Sequence, residues 1–211
     1  MMDIVVENTN IEAEAQIEND GVAQELAQRW YPICRMELRA FYGILFLQGV
    51  LRGGNQRLRD FWDNRFGQPA IIATMSYHRF MDILKFLRFD NKRTRAACRT
   101  TDRLVAIRHL WELFLHNCRR CLIPSPFVTV DEQVLPTWGC CPCRVYLANK
   151  PHKYGMKIWM LADVEFGFFL DADIYLGRKP GEPREVNQGK RVVEQLCAPL
   201  FGSGRNVTLD R

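Results

Sequence analysis

The hydrophobic period of this 211-residue chain changes once, at Pro124 and Pro126. Upstream, apolar residues recur at helical spacing. Downstream they alternate or gather in short runs of strand type. Neither proline can donate a backbone hydrogen bond, and each clashes with a preceding helical turn, so no helix crosses this point. The chain is therefore expected to fold as a helical part followed by a sheet-containing part, an α+β or α/β protein.

Three helices are expected before the break. "ELRAFYGILFLQGVLRG" is apolar from Glu37 and ends at Gly53-Gly54, a suitable C-cap. "SYHRFMDILKFLRF" opens with Ser76 as N-cap and places Phe80, Ile83, Leu84 and Leu87 on one face. "TDRLVAIRHLWELFLHNCRRC" repeats Leu104, Ile107, Leu110, Trp111, Phe114 and Cys118 at i, i+3, i+4. Together they predict one helical core within residues 30–123. Their connections are basic, with Arg52, Arg57 and Arg59 in one and Lys92, Arg93, Arg95 and Arg99 in another.

Residues 1–29 show no sustained periodicity. They hold seven acidic side chains and one basic one, and read as an acidic, mobile leader. The rest keeps 28 basic against 17 acidic residues, a net of +11. Such a surface suits polyanions, nucleic acid above all, although a solvated basic face without a partner has the same composition. The longest apolar run, Phe41–Leu51, is too short to span a bilayer. The start lacks a basic segment followed by an apolar one, so no secretory signal is expected and the chain reads as intracellular. Its eight cysteines are then expected to be reduced. Cys118-x-x-Cys121 and Cys140-x-x-Cys143 have zinc-ribbon spacing, but a strand lies between the pairs, and a zinc knot would pull its ends together. Ordinary thiols are expected there, and zinc is not. The four histidines form no ligand-like cluster.

After the break, "FVTVD" reads as a strand, and "KIWMLAD" and "GFFLDADIYLG" as a hairpin. "GRKPGEPREVNQGK" is a polar loop, "KRVVEQLCAPL" a helix stopping near Pro199, and "RNVTLD" a last strand. In a mixed sheet of order β–β–β–α–β the first and last strands can lie side by side, which brings Asp131 and Asp210 to one edge. Paired carboxylates there suit Mg²⁺ or Mn²⁺. Two such ions about 3.5–4 Å apart can stabilise both oxygens of an in-line phosphoryl displacement. Glu132 is expected on the opposite face. Arg144, Tyr146, Lys150, Lys153, Tyr154 and Lys157 interleave cations with rings, a pattern that clamps phosphates and stacks on bases.

"MSYHRFMDILKFLRFDN", "LWELFLHNCRRC", "VTVDEQ", "CPCRVYLANKPHKYGMKIW", "YLGR", "QGKRVVEQL" and "RNVTLD" occur in one order over residues 38–211. In these stretches the chain resembles the piggyBac-type DDE transposases. The resemblance implies a helical DNA-binding and dimerisation region, residues 30–123, leading into an RNase H-like catalytic domain, residues 124–211. It implies metal-dependent DNA cleavage and strand transfer by three aspartates, of which Asp131 matches the first and Asp210 the second. The family's third aspartate lies far downstream of the second, and nothing in this sequence matches it. The expectation is thus a truncated or domesticated transposase with an incomplete RNase H-like sheet. It would be nuclear, with DNA as partner and a homodimer as its assembly, binding DNA without catalysis. No membrane or small-molecule substrate is expected. The alternatives are a protein-interaction module that no longer binds DNA, and a non-functional transposon remnant.

Overall fold

The computed structural model describes residues 1–19, 23–51, 56–99, 101–139, 141–148, 150–177 and 186–209. These divide into two compact units, residues 1–97 and 98–211. The boundary lies earlier than the break in period suggests, because the last long helix belongs to the sheet.

The first unit is helical. α1 (Met2–Glu18), α2 (Gln24–Arg29), α3 (Arg35–Val50), α4 (Pro69–Thr74), α5 (Tyr77–Phe86) and α6 (Lys92–Cys98) follow one another, with a 3₁₀ turn at Leu58–Trp62. α5 starts where the sequence places it: the Arg79 amide donates to Ser76 Oγ at 3.2 Å. Its buried face is Phe80, Ile83 and Phe86 rather than the expected set, and Leu84 is exposed. Phe80 stacks on Phe41 of α3 at 4.8 Å. Arg79 donates twice to Glu37, at 2.6 and 2.7 Å, with its guanidinium 3.6 Å from the Tyr31 ring centroid. Gly53 and Gly54, the expected cap of α3, lie outside the described residues, and the helix closes at Leu51.

The mobile-leader expectation is corrected here. Residues 2–18 form a helix packed on α3 and α5, and residues 24–29 form another. Of the four buried positions of α1, Val5, Thr9, Glu12 and Ala13, two are polar. Thr9 Oγ1 accepts from the Arg88 amide. Glu12 accepts from Gln16 (2.6 Å), Arg88 (2.8 Å) and Lys92 (3.0 Å). Burial pushes the Glu12 carboxyl up, but the hydrogen bonds from Gln16 and Lys92 and the Arg88 charge outweigh it and hold it below the usual range.

The second unit is a five-stranded mixed sheet between two helices. α7 (Arg108–Cys121) precedes β1 (Phe127–Pro136), β2 (Arg144–Tyr146), β3 (Tyr154–Asp163), β4 (Phe169–Ile174), α8 (Gln188–Cys197) and β5 (Asn206–Leu209). β1 runs antiparallel to β3 and parallel to β5, while β2 and β4 share the other edge of β3. The side-by-side placement of the first and last strands is as expected. The first strand is twice as long as "FVTVD", and β2 was missed. α8 packs Val192, Leu196 and Cys197 on Val128, Val130, Leu161 and Leu170. α7 packs on the opposite face, where Leu104 and Leu115 meet Ile158, Ala172 and Ile174. The expected common core of three helices is therefore corrected: α7 covers the sheet, and Arg119 anchors it by two hydrogen bonds to buried Asp171, at 2.9 and 2.7 Å.

Leu170 and Ala172 are two residues apart yet sit in opposite cores. The cause is a bulge in β4, where Leu161 pairs with Asp171 and Ala162 with Phe169. The break in period is itself tied down. Arg205 donates to the Pro124 carbonyl at 3.0 and 2.8 Å, and the Asn206 amide donates to Pro126 O at 2.8 Å. Asp163 accepts from the Ser125 amide (2.6 Å) and the Phe166 amide (2.8 Å), joining that segment to the β3–β4 turn. No described helix is long and apolar enough to cross a membrane.

Two outcomes follow from this packing. A Cβ on Gly155 would lie 2.4 Å from Leu135 O of β1. Gly155→Ala should therefore cost about 1–3 kcal/mol in denaturant unfolding. Because the Glu12 carboxyl is held low, its contribution is present at neutral pH and fades as pH falls through the acidic range below the ordinary glutamate value. Protection of the α1 amides, referred to the intrinsic exchange rate at each pH, should fall over that range, and Glu12→Gln should show the lower protection already at neutral pH.

Candidate nucleic-acid interface

β1 presents different chemistry on its two faces because side chains alternate along a strand. Val128 and Val130 point into the α8 core. The other face carries Phe127, Thr129, Asp131, Gln133 and Leu135. There α7 covers β3 and β4, while Asp131, Gln133 and Leu135 are exposed. Asp131 Oδ1 accepts from the Glu132 amide at 2.6 Å. The parallel register with β5 runs from Phe127↔Asn206 to Val130↔Leu209, ending one residue before Asp131. Asp210 lies outside the described residues. Asp131 is an oxygen donor of the type a hard cation takes. Among the described residues, however, no group of three His, Cys, Asp or Glu could hold a metal ion. The described residues thus do not by themselves make a metal site, and no chemical step is derived through one.

Glu132 takes the opposite face. Its carboxylate meets Lys157 Nζ at 2.6 Å and Lys150 Nζ at 3.3 Å, and Lys157 Nζ sits 4.4 Å from the Trp159 ring centroid. Burial raises the Glu132 carboxyl, but the two lysines lower it by more. Two of the six cations and rings singled out in the sequence are therefore held by a carboxylate on the α8 side of the sheet.

Arg144, Tyr146 and Tyr154 stand elsewhere. Tyr146 pairs with Tyr154 and Arg144 with Met156 across β2 and β3. The register puts all three on the Asp131 face. The two tyrosine rings lie 5.0 Å apart and both are exposed. The Arg144 guanidinium is 5.5 Å from the Tyr154 ring centroid and donates to the carbonyl of Trp138 at 3.4 Å. Lys153, next to Tyr154, is exposed. The sequence reading missed Trp138 and His152, whose rings are 6.4 Å apart. Trp138 is 75% exposed and so belongs to neither core. Trp138 stands as a lone aromatic within "PTWGCCPC", with no period to mark it. Trp138, Arg144, His152, Lys153 and Tyr154 line an open pocket of about 520 Å³.

The cysteine set spreads apart in character. Cys118 and Cys143 are buried on the α7 side, Cys121 is exposed, and Cys140 lies outside the described residues. Burial, and then the neighbouring Cys141, push the Cys143 thiol up to about 11. Its Sγ donates to Arg103 O at 3.7 Å.

Known proteins match this architecture along its length. The model of the family Transposase IS4 matches residues 1–211. The human PiggyBac transposable element-derived protein 3 is 25% identical over 167 residues, covering 78% of this chain and 27% of its own length. The human Chimeric ERCC6-PGBD3 protein is 25% identical over 167 residues, 78% of this chain and 15% of its own. A piggyBac transposase chain, solved by cryo-EM in a synaptic complex with hairpin DNA, superposes with a TM-score of 0.85 at 31% identity, over 98% of this chain and 42% of that one. The chain thus spans less than half the length of each of these relatives. With the helical unit, the mixed sheet and the ordered sequence matches in agreement, the chain belongs to the Transposase IS4 family, as a transposable-element-derived protein of piggyBac type.

Proposed function

We propose that this chain is a nuclear DNA-binding portion of a piggyBac-type DDE transposase. Its sheet is read as the RNase H-like core, and its helical unit as the DNA-binding and dimerisation region. One observation carries the reading. β1, flanked by β3 and β5, presents Asp131 on the uncovered part of a sheet face that also bears Arg144, Tyr146 and Tyr154. A carboxylate and, four to six residues further along β3 on the same face, a cation and two exposed rings suit a surface that a DNA strand can follow. The net charge of +11 over residues 30–211 supports the same partner. The solved relative's DNA complex supports it as well.

In this reading Asp131 and Asp210 would be two of the carboxylates that hold Mg²⁺ or Mn²⁺, an ion that would supply charge stabilisation at a scissile phosphate only where a third carboxylate completes the set, so the chain binds DNA without cleaving it. Arg144 and Lys153 position the DNA backbone, while Lys150 and Lys157 serve first as partners of Glu132. A second reading, a protein-interaction module that forms homodimers without DNA, rests on Met36, Phe46 and Val50, which are exposed on α3.

Titration of labelled duplex DNA at two salt concentrations separates the readings. Phosphate contacts release counterions, so affinity should fall steeply as salt rises. Absence of binding at low salt, together with concentration-dependent dimerisation, would establish the second reading instead. A second assay concerns cleavage. The 211-residue polypeptide, incubated with Mn²⁺ and end-labelled terminal-repeat DNA, should give no nicking, and Asp131→Ala should behave alike. Cleavage by the unaltered chain that Asp131→Ala abolishes would show a complete carboxylate set and overturn the inactive assignment.

A further inference from the structure

The pocket beside the β2–β3 hairpin has a lining of its own among the described residues. Its rings are Trp138, His152 and Tyr154, its cations are Arg144 and Lys153, and no carboxylate lines it among the described residues. A comparable cleft in the helical unit, with Arg57, Arg59, Trp62, Tyr77 and His78, also contains Asp60 and Asp63, which offset its arginines. Lys150 and Lys157 face Glu132 on the far side of the sheet. Among the described residues, the hairpin pocket thus brings flat rings together with positive charge that no carboxylate of its lining offsets.

We propose that this pocket takes an unpaired nucleobase of a bound DNA, with the adjoining phosphate held by Arg144 and Lys153. The inference rests on the DNA-binding reading above and narrows it to a structure of DNA. Paired bases bury their π-faces against neighbours and offer only their edges in the grooves. Exposed rings therefore gain little from an intact duplex. An unpaired base frees a face, and stacking on an aromatic side chain follows whatever its sequence. The geometry fits one such base. Trp138 is 75% exposed, and its ring lies 6.4 Å from that of His152 at an interplanar angle of 52°, so the base stacks on Trp138 rather than between the two rings. Tyr154 closes the other side, with the Arg144 guanidinium at 5.5 Å from its ring centroid. The volume, about 520 Å³, lies within the range of small-ligand sites, roughly 300–1,000 Å³.

The test uses the full chain and two DNA probes that differ only in one bulged, unpaired 2-aminopurine. The unaltered protein should bind the bulged probe more tightly than the fully paired one and quench the 2-aminopurine. Trp138→Ala should weaken binding to the bulged probe about tenfold, the scale of one lost stacking partner, and leave the paired probe within about twofold. Trp138→Phe should retain the preference, and matched thermal melts check that both variants fold. Equal affinity for the two probes, or a Trp138→Ala loss that is the same for both, overturns the proposal while DNA binding stands. If neither probe binds at low salt, the DNA-binding reading itself is overturned.

Discussion

The second unit depends on β1 being hydrogen-bonded along both edges, antiparallel to β3 and parallel to β5. A strand held on both sides cannot slip by one residue without turning every side chain to the wrong face. That fixes Val128 and Val130 under α8 and leaves Asp131 on the other side. It also fixes the distance between β1 and β3, which is so close at the Leu135 carbonyl that Gly155, the partner of Pro136, has no room for a Cβ. The chemistry assigned to this face thus comes from backbone pairing, and the side chains there inherit their positions.

Charge is distributed by the same geometry. A count of lysines and arginines treats the segment from Arg144 to Lys157 as one basic patch. The pleat divides it, sending Lys150 and Lys157 to Glu132 and leaving Arg144 with the tyrosines. Basic residues in a sequence therefore overstate the positive surface open to a ligand. In the helical unit, too, Arg29, Arg79 and Arg88 are engaged by Asp82, Glu37 and Glu12.

Much of this was legible in the residues. Alternation and β-branching exposed β1, β3 and β4, Ser76 marked the start of α5, and the ordered motifs named the family. The failures have physical causes. α1 buries Thr9 and Glu12 through hydrogen bonds, so an apolar pattern could not reveal it. α7 has a clear apolar stripe, but a stripe says that a face is buried and not against what. β2 is three residues long and draws its place from β3, so it carries no period of its own. Trp138 was missed because an isolated aromatic in a cysteine-rich turn has no pattern to read.

The bulge in β4 has a consequence for how this part of the chain can vary. Phe169 packs toward Trp111 and Phe114 of α7, Leu170 faces α8, and Ala172 returns to α7. Substitutions there change volumes one site at a time. Loss or gain of a residue in the regular part of the strand would instead exchange the inward sets offered to the two helices at once, whereas loss of the unpaired Leu170 would leave the pairs Ala162↔Phe169 and Leu161↔Asp171 as they are. In the regular part of β4 the length of the chain is thus more tightly constrained than its composition, and the bulge is the place where a one-residue change in length can leave the flanking register intact.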